Sequence, residues 1–222
     1  WKLLFLVFGI VSILSALWLG SVKIDEVQQA EVKATFASSF RLLGTGFVLM
    51  MVLSIFVVVG IDVGFNSNSG QFLSKQFGID QTTAESGRSI YFFGRMLGTF
   101  LGALLLTRIT SRKFFVWTSV LGIICLLAIL LIPSPAIAWV LVFLIGLAVA
   151  NIFPLVFSIT VDKYPTRSNE ISGLMMMAVS GGAVIPLLIG LVSDISNVAI
   201  GMSVLIICMI YLFSVSLYCL KK

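Results

Sequence analysis

The chain has 222 residues, 59% of them hydrophobic and 10% charged, with a mean hydropathy of +1.16 and a formal net charge of +5. Soluble domains run about 45–50% apolar and about 25% charged, so one core of this size cannot hide so much apolar surface, and the bilayer must act as a second apolar solvent. Histidine is absent, which excludes Ser-His and Cys-His nucleophile pairs and removes the commonest metal ligand. No G-x-x-x-x-G-K or C-x-x-C motif is present, so the expectation is no enzyme, no catalytic residue, no metal, no cofactor and no nucleic-acid partner.

A helix crossing the hydrocarbon needs about 20 apolar residues. Seven stretches qualify: roughly Leu3–Gly20, Phe47–Asn66, Ser89–Thr107, Phe114–Ile132, Ala136–Thr160, Ile171–Val192 and Val198–Leu220. The first is long for a signal-peptide core and has only Lys2 before it, so it reads as a spanning helix. Residues 21–46 form a polar connection carrying Asp25, Glu26, Gln28, Gln29 and Glu31, and residues 67–88 a second one rich in Ser, Asn and Gln. The expected organisation is a helix at 1–20, an interdomain loop at 21–46 and a six-helix unit at 47–222. Cys125, Cys208 and Cys219 all fall inside apolar runs, where cysteine serves as a small hydrophobe. The chain opens on Trp1 and is read as a fragment of something longer.

Basic residues set the orientation. Threading the chain through seven spans puts Lys23, Lys33, Arg41, Arg108, Arg112, Lys113, Lys163, Arg167, Lys221 and Lys222 on one side. Only Lys2, Lys75 and Arg88 fall on the other, and Arg95 lies within a span. The excess predicts a multi-pass protein of the cytoplasmic (inner) membrane, with its C-terminus and the Arg41 loop in the cytoplasm.

The six later spans divide into two triplets, as in transporters built from inverted three-helix repeats. First helices hold polar interruptions: Asp62, Gly64 and Asn66 in one, Asn151 and Pro154 in the other. Second helices carry small residues at every fourth position: Gly94, Gly98 and Gly102, then Ala178, Gly182, Pro186 and Gly190. Such spacing makes a ridge on which backbones approach closely in lipid. Third helices carry no charge, and each has a run ending in cysteine, Gly122-Ile123-Ile124-Cys125 and Leu205-Ile206-Ile207-Cys208.

Val59-Gly60-Ile61-Asp62-Val63-Gly64 resembles the seventh-helix signature of the fucose and glucose/galactose:proton symporters of the major facilitator superfamily. Ala150 to Ser158, with Asn151 and Pro154, is similar to that family's tenth helix. Ser172-Gly173-Leu174, Gly181-Gly182-Ala183-Val184-Ile185-Pro186 and Gly190-Leu191-Val192-Ser193-Asp194 are similar to its eleventh. The resemblance implies an all-α, polytopic six-helix bundle (a 3+3 inverted repeat) preceded by one transmembrane helix. It further implies the sixth helix, central loop and C-terminal half of a twelve-helix carrier that couples a sugar to a proton, its N-terminal half missing here. One position departs: the family carries Arg within G-R-F-x-G, where this chain has Thr99 in Gly98-Thr99-Phe100-Leu101-Gly102, and Arg95 comes one turn earlier.

Asp62 and Arg95 are the ionisable side chains deep in spans, each costing on the order of 2.5–3.5 kcal/mol on insertion scales. At about 1.5 Å per residue their depths nearly coincide, so they are expected to pair or to share one wet cavity. Asp62 then has three readings: a structural or gating partner, a substrate contact, or a proton carrier. A neighbouring guanidinium stabilises the charged carboxylate and argues against the last. Asn66 and Asn151 offer donors and acceptors to a sugar's hydroxyls, although an interhelical hydrogen bond would use Asn151 equally well. Pro154 frees the Ala150 carbonyl, and Phe153 can stack on a sugar face or fill the core. Met175-Met176-Met177 reads as adaptable packing. Arg108, Arg112 and Lys113 sit where the superfamily often has a basic gating motif, and topology explains them equally well. A retinal-type receptor would need an intramembrane lysine, which the last span lacks before Lys221. A non-transporting scaffold subunit has little reason to interrupt its spans with Asp, Asn and Pro.

Overall fold

The computed structural model describes residues 2–22 and 35–221. They fall into two units, one ending at residue 32 and the other beginning at residue 33. Residues 23–34, with Lys23, Asp25, Glu26, Gln28, Gln29, Glu31 and Lys33, lie outside the described residues, as do Trp1 and Lys222. In the first unit α1 (Lys2–Ser21) is apolar on every face and buries none of its residues, the pattern of a helix whose solvent is lipid.

The second unit opens with α2 (Phe36–Leu42), so the latter part of the expected 21–46 loop is helical. Thr35 caps it in a reciprocal box with Ser38. α3 (Gly46–Phe77) has 32 residues, or about 48 Å at the helical rise. It therefore runs well past Asn66 and out of a hydrocarbon core of about 30 Å. The expected 67–88 connection is thus corrected: its Ser, Asn and Gln residues are polar but do not break a helix. The chain turns only at Gly78, whose φ of 67° suits glycine and stops the helix. Asp80 then starts α4 (Gln81–Leu105), its carboxylate accepting the backbone N–H groups of Thr82 at 3.2 Å and Thr83 at 3.4 Å.

α5 (Ser111–Leu131) ends before Pro133, and α6 (Pro135–Val149) begins with proline in its first turn, where a missing N–H costs nothing. The expected 136–160 span is two helices. The chain breaks at Ala150–Asn151 and resumes as α7 (Ile152–Lys163), because Pro154 cannot bond the Ala150 carbonyl. The expected 171–192 span is likewise two, α8 (Ser168–Ala178) and α9 (Gly181–Ile195), entered through a 3-10 turn at Pro165–Arg167. Around Val179–Ser180 the ladder tightens to i→i−3 bonds. α10 (Val198–Lys221) closes the unit.

Taking α6–α7 and α8–α9 as single crossings gives six rods in two triplets. The first rod of each triplet packs on the second of the other, α3 on α8 and α9 and α6 on α4. Third packs on third, α5 on α10, and each third also packs on the other triplet's first, α10 on α3 and α5 on α6. Exchanging the triplets maps the α5–α10 pairing onto itself and each of the others onto its counterpart. Because three crossings precede the second triplet, it runs in the opposite sense, which makes this a 3+3 inverted repeat. Among the described residues six helical stretches are long and apolar enough to cross a membrane. α4 falls short because Arg88, Arg95 and its polar first turns dilute it. Large apolar side chains stand exposed on the rods, among them Phe100, Trp117, Leu131, Leu187 and Ile207, which water would not tolerate in such number.

Candidate functional site

Glycines bring the rods close enough to build the site. A Cβ at Gly94 would run into the Phe143 carbonyl, one at Gly98 into Leu147 and Ala150, and one at Gly146 into the Tyr91 carbonyl. The α4 and α6 backbones therefore touch directly, and Arg95 is fixed beside that seam. On the opposite side, a Cβ at Gly181 would meet the Phe56 carbonyl, and ones at Gly60 and Gly64 would meet Ile185 and Ile189. That contact fixes α3, and with it Asp62, against α9.

Beside the expected second ridge, the buried stripe on α9 is Gly181, Ile185 and Ile189, one position before Gly182, Pro186 and Gly190. Gly182 meets the side chains of Val59 and Val63, Pro186 is half-buried, and no described residue comes within 4 Å of a Cβ at Gly190. The Gly181 stripe makes the backbone contact with α3, and Gly182 meets α3 through the side chains of Val59 and Val63.

Asp62 and Arg95 form an ion pair, the Arg95 Nη1 donating to Asp62 Oδ2. The other carboxylate oxygen, Oδ1, accepts the Tyr91 hydroxyl at 2.6 Å. Each oxygen thus has its own donor, and the side chains of Asp62 and Arg95 keep only 23% and 30% of their exposure. Tyr91 is wholly buried, its ring 5.1 Å from that of Phe65 and 5.7 Å from that of Phe92. Tyr91 was not singled out from the sequence. The available signal was its spacing, four residues before Arg95 and so on the same face of α4. Thr99, in the place of the family's arginine, donates its hydroxyl to the Arg95 carbonyl at 2.9 Å.

The pair opens on a cavity of about 50 Å³ lined by Val58, Val59, Asp62, Arg95, Val149 and Phe153. That holds a few waters, whereas small-molecule pockets usually enclose about 300–1,000 Å³. Phe153 contributes a ring that stacks on Phe157 with centroids 6.4 Å apart. Asn66 lies one turn along α3 from Asp62, and its Oδ1 is buried with no hydrogen-bond partner among the described residues. Asn151 is engaged elsewhere: 5% exposed, it donates its amide to the Gly98 carbonyl at 2.6 Å, and a Cβ at Gly102 would collide with it. Of the two uses open to Asn151, the geometry supplies the interhelical bond. Asp62, Arg95 and Phe153 therefore share one cavity, Asn66 borders Asp62 along the same helix, and Asn151 belongs to the α4–α6 seam. Met175 is buried while Met176 and Met177 are exposed.

The family model of the Major Facilitator Superfamily matches residues 1–186. A glucose/galactose transporter of Brucella abortus biovar 1 is 30% identical over 213 residues, covering 95% of this chain and 50% of that protein. Among solved structures, the transporter FucP in its outward conformation superposes with a TM-score of 0.86 at 17% identity, over 96% of this chain and 53% of that one. A single-residue variant of the E. coli fucose:proton symporter FucP gives a TM-score of 0.86 at 18% identity, over 96% and 54%. The chain thus spans about half the length of the relatives it matches. With an inverted pair of triplets and a matching family model over most of its residues, the chain belongs to the Major Facilitator Superfamily.

Proposed function

We propose that the chain is the C-terminal half of a secondary active carrier that moves a sugar with a proton across the cytoplasmic membrane. Residues 1–20 would be the sixth helix of that carrier, 21–46 its interdomain loop and 47–222 one wall of the substrate path. The observation that carries the reading is a charged pair within the spans, with Tyr91 and Phe153 beside it, on a cavity too small to enclose a ligand alone. A wall of this kind needs a facing half, and the named relatives are about twice as long.

In this scheme Asp62 and Arg95 act as a gating pair that neutralises two charges where water is scarce. Both Asp62 oxygens are engaged by Arg95 and Tyr91, which suits a gating role, and the resemblance puts the coupling carboxylate in the facing half. Asn66 offers its unpartnered Oδ1 to a sugar hydroxyl and Phe153 offers a ring face, with Asn151 shaping the seam behind them. Alternating access follows if the sugar binds the outward- and inward-open arrangements with different energies. The end bearing Arg41, Arg108, Arg112, Lys113, Lys163, Arg167 and Lys221 faces the cytoplasm in this scheme, a reading that the excess of basic residues there supports.

The test is uptake of labelled glucose, galactose and fucose by the full-length protein in proteoliposomes under an imposed pH gradient. Uptake that collapses with the gradient is the expected result, and residues 1–222 alone should transport nothing. Transport by this chain alone, or uptake of no sugar by the full-length protein, would overturn the reading.

A further inference from the structure

Four span ends converge at the basic end of the bundle: the starts of α3 and α5 and the finishes of α7 and α10. Between them lies a cavity of about 310 Å³, far larger than the one beside Asp62, lined by Phe47, Thr110, Ser111, Arg112, Asp162 and Lys163, with Ile159 and Cys219 beneath. We propose that this cavity binds the phosphate-bearing headgroup of an anionic phospholipid, whose acyl chains run up the outer faces of α5 and α10.

Three features support the assignment. The first is charge: Arg112 and Lys163 face the cavity against one carboxylate, Asp162, which the Ser158 hydroxyl already bonds at 3.3 Å. The lining thus keeps a surplus of one positive charge. The second is construction, since the Lys163 ammonium is seated 3.7 Å above the centre of the Phe47 ring, which in turn contacts Tyr164. A cation held over a ring loses less freedom on meeting an anion than a free surface lysine does. The third is depth. Ends of long apolar helices mark the headgroup level, and Trp117, Leu217 and Leu220, exposed apolar side chains on α5 and α10, provide the surface that acyl chains cover. A soluble anion would use the charges but not that apolar approach.

The experiment uses the full-length protein purified in detergent, exchanged against equal amounts of phosphatidylglycerol and phosphatidylcholine, with retained lipid measured by mass spectrometry. The parent should retain phosphatidylglycerol preferentially. Arg112→Gln and Lys163→Gln should each weaken that preference roughly fivefold, and the double variant should abolish it. Both side chains are exposed, so neither change threatens folding. Arg41→Gln removes an equal charge from the same end outside this cavity and should leave the preference intact. An equal loss in Arg41→Gln would mean diffuse surface charge and overturn the site, as would full retention in the double variant. Displacement of the lipid by excess inorganic phosphate would also overturn it, by showing that the cavity takes a bare anion.

Discussion

Asp62 and Arg95 stand 33 residues apart in sequence on neighbouring antiparallel helices, and they meet as an ion pair within the spans. Removing one partner strands the other's charge, whereas removing both leaves two neutral groups. In a double-mutant cycle of Asp62→Asn and Arg95→Gln, thermal stability of the full-length protein should fall more in each single variant than in the double. The coupling should lie in the range of about 0.5–3 kcal/mol for residues in contact. Purely additive losses would mean that the two act separately.

Tyr91 supplies the second donor to Asp62, so Tyr91→Phe keeps the ring contacts with Phe65 and Phe92 and deletes only that bond. An unmet acceptor in a dry site costs about 1–3 kcal/mol. The variant should melt earlier by that measure, and the deficit should vanish in the Asp62→Ala background, which has no acceptor there. A deficit that persists there would assign the hydroxyl another role.

Glycines separate contact from spacing. Gly94→Ala forces a methyl onto the Phe143 carbonyl, and backbone cannot swing aside, so a loss of about 1–3 kcal/mol is expected. Gly190→Ala meets nothing among the described residues and should be neutral or stabilising by up to about 1 kcal/mol, because alanine is the better helix former. Melting temperatures of the two variants, measured side by side, check the contrast. Equal losses would place Gly190 against a surface outside the described residues.

The rods were legible because lipid exposure leaves long apolar runs, and the Asp62–Arg95 pair was legible because charge is rare there and depth can be counted. Other features were hidden by the same physics. Polar residues 67–77 look like a loop to a hydropathy argument, yet a helix bonds its own backbone and continues in water until Gly78 stops it. Breaks at Asn151 and Ser180 divide spans without changing their composition. The choice between the Gly181 and Gly182 stripes depends on which neighbour packs there, which periodicity does not encode. Tyr91 was missed because an aromatic residue in a span is ordinarily packing, and only the Asp62 carboxylate makes its hydroxyl matter.

Asp80 titrates where water reaches it. The Thr82 hydroxyl and then the Thr83 N–H hold its carboxyl below the ordinary value of 3.8. A lowered value means that the cap is fully present above the unfolded-state pKa and is lost as pH falls through the folded one. Hydrogen exchange at the Thr82 and Thr83 amides, corrected for intrinsic rate, should therefore be level above about pH 4 and accelerate only below it. In Asp80→Ala those amides should exchange fast throughout. Acceleration beginning near neutrality would contradict the cap.

Glu170 poses the reverse problem. It is 1% exposed at the start of α8, neither carboxylate oxygen has a hydrogen-bond partner among the described residues, and the nearest cation is Arg167 Nε at 3.8 Å. A buried carboxylate without donors costs more than a buried amide of the same shape. Glu170→Gln should therefore melt no lower than the parent, despite losing the ion pair. Arg167→Gln should destabilise, because it leaves the carboxylate with no counter-charge, and adding Glu170→Gln to it should restore the melting temperature. If Glu170→Gln alone is as damaging as Arg167→Gln, the ion pair itself is a net source of stability, and the two unmet oxygens do not govern this corner of the fold.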